Sequence, residues 1–387
     1  MVVNPPRLTQ SRAGRADKLA KRLLYLNGFA ILAVVFFHAA GMGFVAMFTW
    51  THRYAVEAMT PEMWVGTPTY YILRLVEQII VFAIPAFLFI TGYSVAMMTG
   101  RNQATVSWKL VFSRIKTLVI PYLLWSAVMI VLRLVEDPRV ALTEILSWVL
   151  TGSSNEVLYF VPLLTQFYLL SPWLVRWARR DWKSLLMLTV FLQLLVQLLA
   201  YPELLGWNLP IARDISQFVP KWLFLARIFW FPFGIICGLH PVEFKRIVSP
   251  HKAKLVTAAI MLIPINFIEW EIYYKIAGQT WLSHRETILD SLYTFALILS
   301  VLMLNGQSLP LSNWISELGA KSYGIYLTHS LAIVYLARLI YHFLPGLLGY
   351  PLLLQPILIV AGLFIPLGMM AVVDRSRLRR FYNYLYG

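Results

Sequence analysis

A single cysteine, Cys237, leaves this 387-residue chain without an internal disulfide, and its seven histidines fall in no metal-ligand spacing such as H-x-x-E-H. A structural metal and a redox centre are therefore not expected. Charge is also scarce: 13% of the residues are Asp, Glu, Lys or Arg, against about 25% in a soluble domain. With 59% hydrophobic residues and a mean hydropathy of +0.68, the chain has far more apolar surface than a soluble fold of its length can bury. Acidic residues are fewest, 18 against 33 Lys and Arg, for a net charge of +15. In a soluble protein that excess would suggest a nucleic-acid partner. Here cytoplasmic loops account for it, and no nucleic acid is expected. A cleavable leader is excluded as well, because the apolar run after Arg22 is too long for one, and no internal repeat of the transporter kind is visible.

What is abundant is long apolar runs. About ten are long enough to span a bilayer, and lipid leaves an isolated segment no option but the helix. Their limits are Leu23 to Phe48, Tyr71 to Met98, Thr117 to Val135, Leu158 to Val175, Ser184 to Ala200, Trp222 to Leu239, Leu255 to Tyr273, Ile288 to Leu304, Tyr323 to Phe343 and Pro351 to Val373. A shorter apolar piece, Ala141 to Leu150, reads as an interfacial or re-entrant helix. Of the 33 basic residues, 23 fall on one side of this arrangement, which places both termini in the cytoplasm. The expected architecture is an all-α polytopic membrane protein: a basic cytoplasmic tail over 1–22, one membrane domain over 23–373 and a second basic cytoplasmic tail over 374–387. A bacterial inner membrane is the default location.

The first span carries one ionisable side chain, His38. A titratable group at that depth costs free energy and asks for a reason. Counting about 1.5 Å per residue from Leu23 puts the imidazole roughly 22 Å into a core about 30 Å thick, in its outer half. Held in low dielectric, the ring stays neutral and is available as a general base toward a hydroxyl. An imidazole hydrogen-bonded between helices with no chemistry fits the same position. Asn27, eleven residues earlier, lies on the same helical face, so that face runs polar from the cytoplasmic end to His38.

Five segments, taken in order, resemble the acyltransferase-3 family of integral membrane acyltransferases: V-V-F-F-H (Val34 to His38), A-I-P-A-F-L-F-I-T-G-Y (Ala83 to Tyr93), R-I-K-T-L-V-I-P-Y-L-L-W (Arg114 to Trp125), Y-F-V-P-L-L-T-Q-F-Y-L-L-S-P (Tyr159 to Pro172) and L-G-A-K-S-Y-G-I-Y-L-T-H (Leu318 to His329). The resemblance implies a ten-helix enzyme that moves an acyl group, usually acetyl, from cytoplasmic acyl-CoA to a hydroxyl or amine, often of a surface glycan or lipid-linked sugar. Acyl-CoA is then a co-substrate, with no bound cofactor. His38 corresponds to the family's first-helix histidine, Arg114 and Lys116 to its basic pair, and Ser322, Tyr323, Tyr326 and His329 to its late S-Y-x-x-Y-x-x-H segment. The family's usual upstream Asp and Arg are replaced here by Leu24 and Asn27.

The resemblance makes Arg114 and Lys116 phosphate ligands for the donor, joined by Asn27, Ser322, Tyr323, Tyr326 and His329, although the positive-inside rule alone also predicts the basic pair. Counted from the cytoplasmic end of the ninth span, His329 lies about 10 Å deep, shallower than His38 by roughly a third of the core, so the two are not expected to pair. At the outer ends, Glu77 and Arg227 are the candidate acceptor contacts, while Arg74 and Glu77, three apart, are expected to pair with each other. Trp50, His52, Trp64 and Tyr70 stack on a sugar or form an aromatic belt. Pro85, Gly92, Pro232 and Gly234 mark the second and sixth spans as interior. The alternative to an acyltransferase is a transporter or exporter of a polysaccharide or lipid-linked intermediate.

Overall fold

A computed structural model describes residues 7–55, 63–100, 103–207, 209–210, 215, 217–278, 286–303 and 309–387, with side chains from residue 20 onward. Of the described residues 84% are helical, and none is in a strand. We number its helices α1 (Arg7–Phe48), α2 (Pro68–Ile80), α3 (Ala83–Met98), α4 (Trp108–Glu136), α5 (Leu142–Thr151), α6 (Phe160–Leu198), α7 (Tyr201–Leu204), α8 (Trp230–Leu239), α9 (Pro241–Val248), α10 (Lys252–Ala277), α11 (Ile288–Met303), α12 (Ser312–Ala320), α13 (Ser322–Phe343), α14 (Pro351–Arg375) and α15 (Tyr382–Tyr386). Among the described residues seven stretches have the length and hydropathy to cross a membrane, and α5, α8 and α11 are shorter apolar helices. The burial pattern supports a bilayer around them. Large apolar side chains such as Ile260, Met261, Ile268, Met187 and Phe191 point outward from α10 and α6, where a soluble protein would carry charge.

Local sequence explains where the helices depart from simple spans. The expected second span is two helices, α2 and α3. Pro85 has no N–H for the carbonyl of Val81, and its ring crowds that carbonyl, so the ladder breaks at Val81–Phe82. Asp181 (φ −154°, ψ 87°) interrupts α6, and its Oδ1 accepts from the backbone N–H groups of Lys183 and Ser184 at 3.1 and 3.2 Å, capping the second half. The chain reverses there. Gln166 and Gln193 both bond to the Trp222–Phe229 stretch, yet a straight helix would hold them about 40 Å apart. The expected fourth and fifth spans are thus the two arms of a hairpin. The expected sixth span begins as a single 3₁₀ turn, Phe224–Arg227, before α8.

Two close crossings build the interior. Gly92 on α3 lies against the carbonyl of Phe231, and Gly234 on α8 against that of Phe89, so neither position has room for a Cβ. The interior placement expected from these glycines is correct, and close packing is its cause. On the other side, Gly28 of α1 meets the backbone of Ile315, and Gly319 of α12 that of Leu24. The short α12 therefore clamps the first helix around its middle, at Leu24 and Gly28.

Both expected tails differ from free extensions. α1 starts at Arg7, so the first helix runs through the basic segment without a break. At the other end Arg377–Phe381 forms a 3₁₀ turn and α15 folds back: Trp125 Nε1 donates to the Leu385 carbonyl at 2.9 Å, and Tyr386 is buried near Gly324. Three apolar residues, Tyr382, Leu385 and Tyr386, drive this docking, while the Arg side chains stay exposed.

Candidate active site

α1 and α13 run side by side, and their register brings the two histidines together. Asn27 Nδ2 donates to the Gly319 carbonyl at 2.6 Å and to Ser322 Oγ at 2.7 Å, so Asn27 and Ser322 sit at one level. From that level His38 is about 16 Å along α1 and His329 about 10 Å along α13. The remaining offset, about 6 Å, is short enough for two side chains to bridge. The imidazole centroids lie 5.2 Å apart. This corrects the expectation that they would not pair: the depth count took the start of the ninth span as the membrane edge, whereas α12 carries the start of α13 inward alongside α1.

The two rings differ in what they can do. His329 is fully buried, with Nδ1 2.8 Å from the Tyr326 carbonyl and 3.1 Å from that of Ile325. Carbonyls only accept, so Nδ1 carries the hydrogen and the lone pair sits on Nε2. That Nε2 is buried with no hydrogen-bond partner. His38 is only half-buried and keeps access to a reactant. Phe37 packs edge-on to it at 5.2 Å, and Lys221 is near enough for its charge to act on the ring.

Of the other expected donor residues, the two tyrosines pack between helices and the basic pair is exposed. Tyr323 and Tyr326 stack at 6.1 Å, and their hydroxyls donate to the carbonyls of Leu118, at 2.5 Å, and of Val157. Arg114 and Lys116 are both exposed on α4. Two residues apart on a helix, they diverge: Arg114 leans over Met98, with Nη2 2.9 Å from its sulfur.

At the other end, the two expected acceptor contacts do not act together. Glu77 pairs with Arg74 at 2.5 Å in a site where both side chains are 7% exposed, and the Arg74 guanidinium lies 3.8 Å over the Tyr274 ring. Arg227 instead faces Glu286 at 3.5 Å. Trp50 and His52 gather on Tyr341 of α13, and Tyr70 is buried beside Phe44, so packing within the protein occupies most of the expected aromatic set.

Sequence reasoning missed Lys221, Tyr159, Asn155 and Glu286. The turn from Asn155 to Tyr159 docks on α13 through Tyr326 and through Ser330, whose Oγ is 3.3 Å from Asn155 Oδ1. Lys221 Nζ lies 4.9 Å over the Tyr159 ring and the Arg227 guanidinium 5.8 Å from its centroid. The available signal was the pair of glutamines, Gln166 and Gln193, inside apolar spans: they clamp the segment that bears both cations.

A helical membrane protein with a histidine pair between its first helix and α13 defines the class. The family model of the acyltransferase domain, acyltransferase-3, matches residues 22–370, nearly the whole chain, and the protein belongs to that family. No curated protein and no solved structure matches it.

Proposed function

We propose that this membrane acyltransferase moves an acyl group, acetyl by preference, from cytoplasmic acyl-CoA to a hydroxyl or amine of a surface glycan or lipid-linked sugar. The observation that carries the reading is the His38–His329 pair, one ring open to a reactant and the other presenting a buried lone pair. In this reading His329 Nε2 accepts from one His38 nitrogen and fixes its tautomer. The other His38 nitrogen takes the proton of the acceptor O–H or N–H as the oxygen or nitrogen attacks the thioester carbonyl. The C–S bond breaks, the proton passes to the leaving thiolate, and the ring returns to its starting state.

The donor enters from the side that holds most of the Lys and Arg, where Arg114 is the better placed of the basic pair to meet a phosphate. O-acetylation of a polysaccharide in a bacterial plasma membrane is the specific form we favour, because the resemblance of the five segments is to enzymes of that kind. The test is thioester turnover by the purified protein in lipid discs, with acetyl-CoA and a glycoside acceptor. His38→Ala should insert normally and lose about a hundredfold to ten-thousandfold in rate. Turnover close to wild type at normal expression removes His38 from the chemistry.

A further inference from the structure

We propose that the acceptor presents a phosphoryl group close to its reacting hydroxyl or amine, and that Lys221 and Arg227 hold this group over the Tyr159 ring; the inference rests on the acyltransfer reading above. Two cations lie within 6 Å of the centre of one aromatic ring here, although like charges gathered in one place repel. Among the described residues Arg227 has one counter-ion, Glu286, and Lys221 has none. The Arg227–Glu286 pair is itself unfinished. At 3.5 Å, Arg227 Nε and Glu286 Oε2 are both buried without a hydrogen bond, while Glu286 Oε1 is already taken by Trp230 Nε1 at 3.0 Å and Ser291 Oγ at 2.6 Å. Burial pushes the Glu286 carboxyl up and Arg227 pulls it back down, so the site keeps at least one surplus positive charge.

The segment that presents these cations is held rigidly. Gln166 Nε2 donates to the Trp222 carbonyl at 2.8 Å and its Oε1 accepts from Phe224 N at 3.2 Å; Gln193 bonds in the same two-handed way to Ala226 and Phe229. Two amides, each used on both sides, fix the backbone that carries Lys221 and Arg227 before any ligand arrives, which lowers the ordering cost of binding. The platform is next to the reacting groups: its turn docks on Tyr326 and Ser330, on either side of His329. A point charge beside a planar guanidinium fork suits a phosphoryl group. A neutral sugar would leave the surplus charge without a counter-ion.

Wild type and Lys221→Gln, whose side chain is exposed and can be changed without disturbing the core, are placed in phosphatidylcholine discs and titrated with dodecyl phosphate and with dodecanol, reading tryptophan fluorescence. The expected result is at least about tenfold weaker binding of dodecyl phosphate by the variant, with dodecanol unchanged. Arg227→Lys, which keeps the charge and loses the fork, should also weaken dodecyl phosphate binding. Equal dodecyl phosphate affinity in wild type and Lys221→Gln overturns the proposal. Phosphatidylglycerol in the disc that competes as well as dodecyl phosphate assigns the site to bulk lipid headgroups and also overturns it. Phosphate discrimination without thioester turnover in the same discs overturns the transferase reading instead and leaves the phosphoryl site standing.

Discussion

At the scale of single residues, the protein pairs groups whose solitary presence in a bilayer would be costly, and the pairs differ in purpose. Arg74 and Glu77 satisfy each other within one turn of α2. Removing one partner from a buried ion pair leaves an uncompensated charge, so Glu77→Ala should cost about 3–5 kcal/mol of stability. Thermal unfolding of the purified variant measures this. An unchanged melting temperature together with a raised KM for the acceptor would instead return Glu77 to a substrate role. The histidines are the opposite case, since His329 Nε2 is left open. His329→Ala should slow transfer less than His38→Ala does, and His329→Gln, whose amide can still accept from His38, should recover part of the rate. Steady-state kcat with KM for acyl-CoA unchanged is the expected signature of a positioning role.

At the scale of helices, most of what the sequence made legible came from apolar runs, because the length of a run limits where a helix can cross. Each expected span overlaps a helix, although among the described residues seven stretches are long and apolar enough to cross a membrane and Leu304, the expected end of the eighth span, lies outside the described residues; Pro85 carried a readable reason for the break between α2 and α3. Helix register was not legible. His38 and His329 were each counted from a separate membrane edge, and nothing in the local pattern reveals that α12 slides α13 along α1 through the Gly28 and Gly319 contacts. Lys221 was hidden for a similar reason. A lone cation near a span end has many ordinary explanations, and only the clamp by two distant glutamines singles it out. The crossings themselves can be tested. Gly234→Val places two methyl groups against the Phe89 carbonyl and should lower stability by about 1–3 kcal/mol or more. Gly41→Ala, where nothing lies within 4 Å of an added Cβ, should be neutral; detergent-solubilised melting curves compare the two. On α4 the divergence of the basic pair predicts unequal donors' effects: Arg114→Ala should raise the KM for acyl-CoA more than Lys116→Ala, and neither should alter the KM for a short thioester lacking the nucleotide.

At the scale of the whole molecule, the proposed reaction needs a donor side and an acceptor side. We propose that the side to which the ten-span arrangement brings 23 of the 33 basic residues is the cytoplasmic one. Single cysteines at Leu378, beside the docked C-terminal helix, and at Leu344, at the far end of α13, should therefore differ. Both positions are exposed, and the native Cys237 is buried. An impermeant maleimide added to intact cells should label Leu344→Cys and spare Leu378→Cys. The reverse pattern would put the Lys221 platform on the donor side and undo the two-sided arrangement.

The clamp of α12 on α1 also has a consequence in time. Asn27 finds its partners 292 residues further along the chain, and at about 5–20 residues per second a ribosome needs about 15–60 s to deliver them. For that interval the first helix sits in the membrane with a bare amide and an open glycine groove, so its insertion is complete long before its assembly. A chain stopped before Ser312 would contain every earlier span and still lack the piece that seats the first. Nonsense and frameshift products that end before Ser312 should therefore be recognised as orphaned membrane helices and degraded, even when they retain most of the sequence.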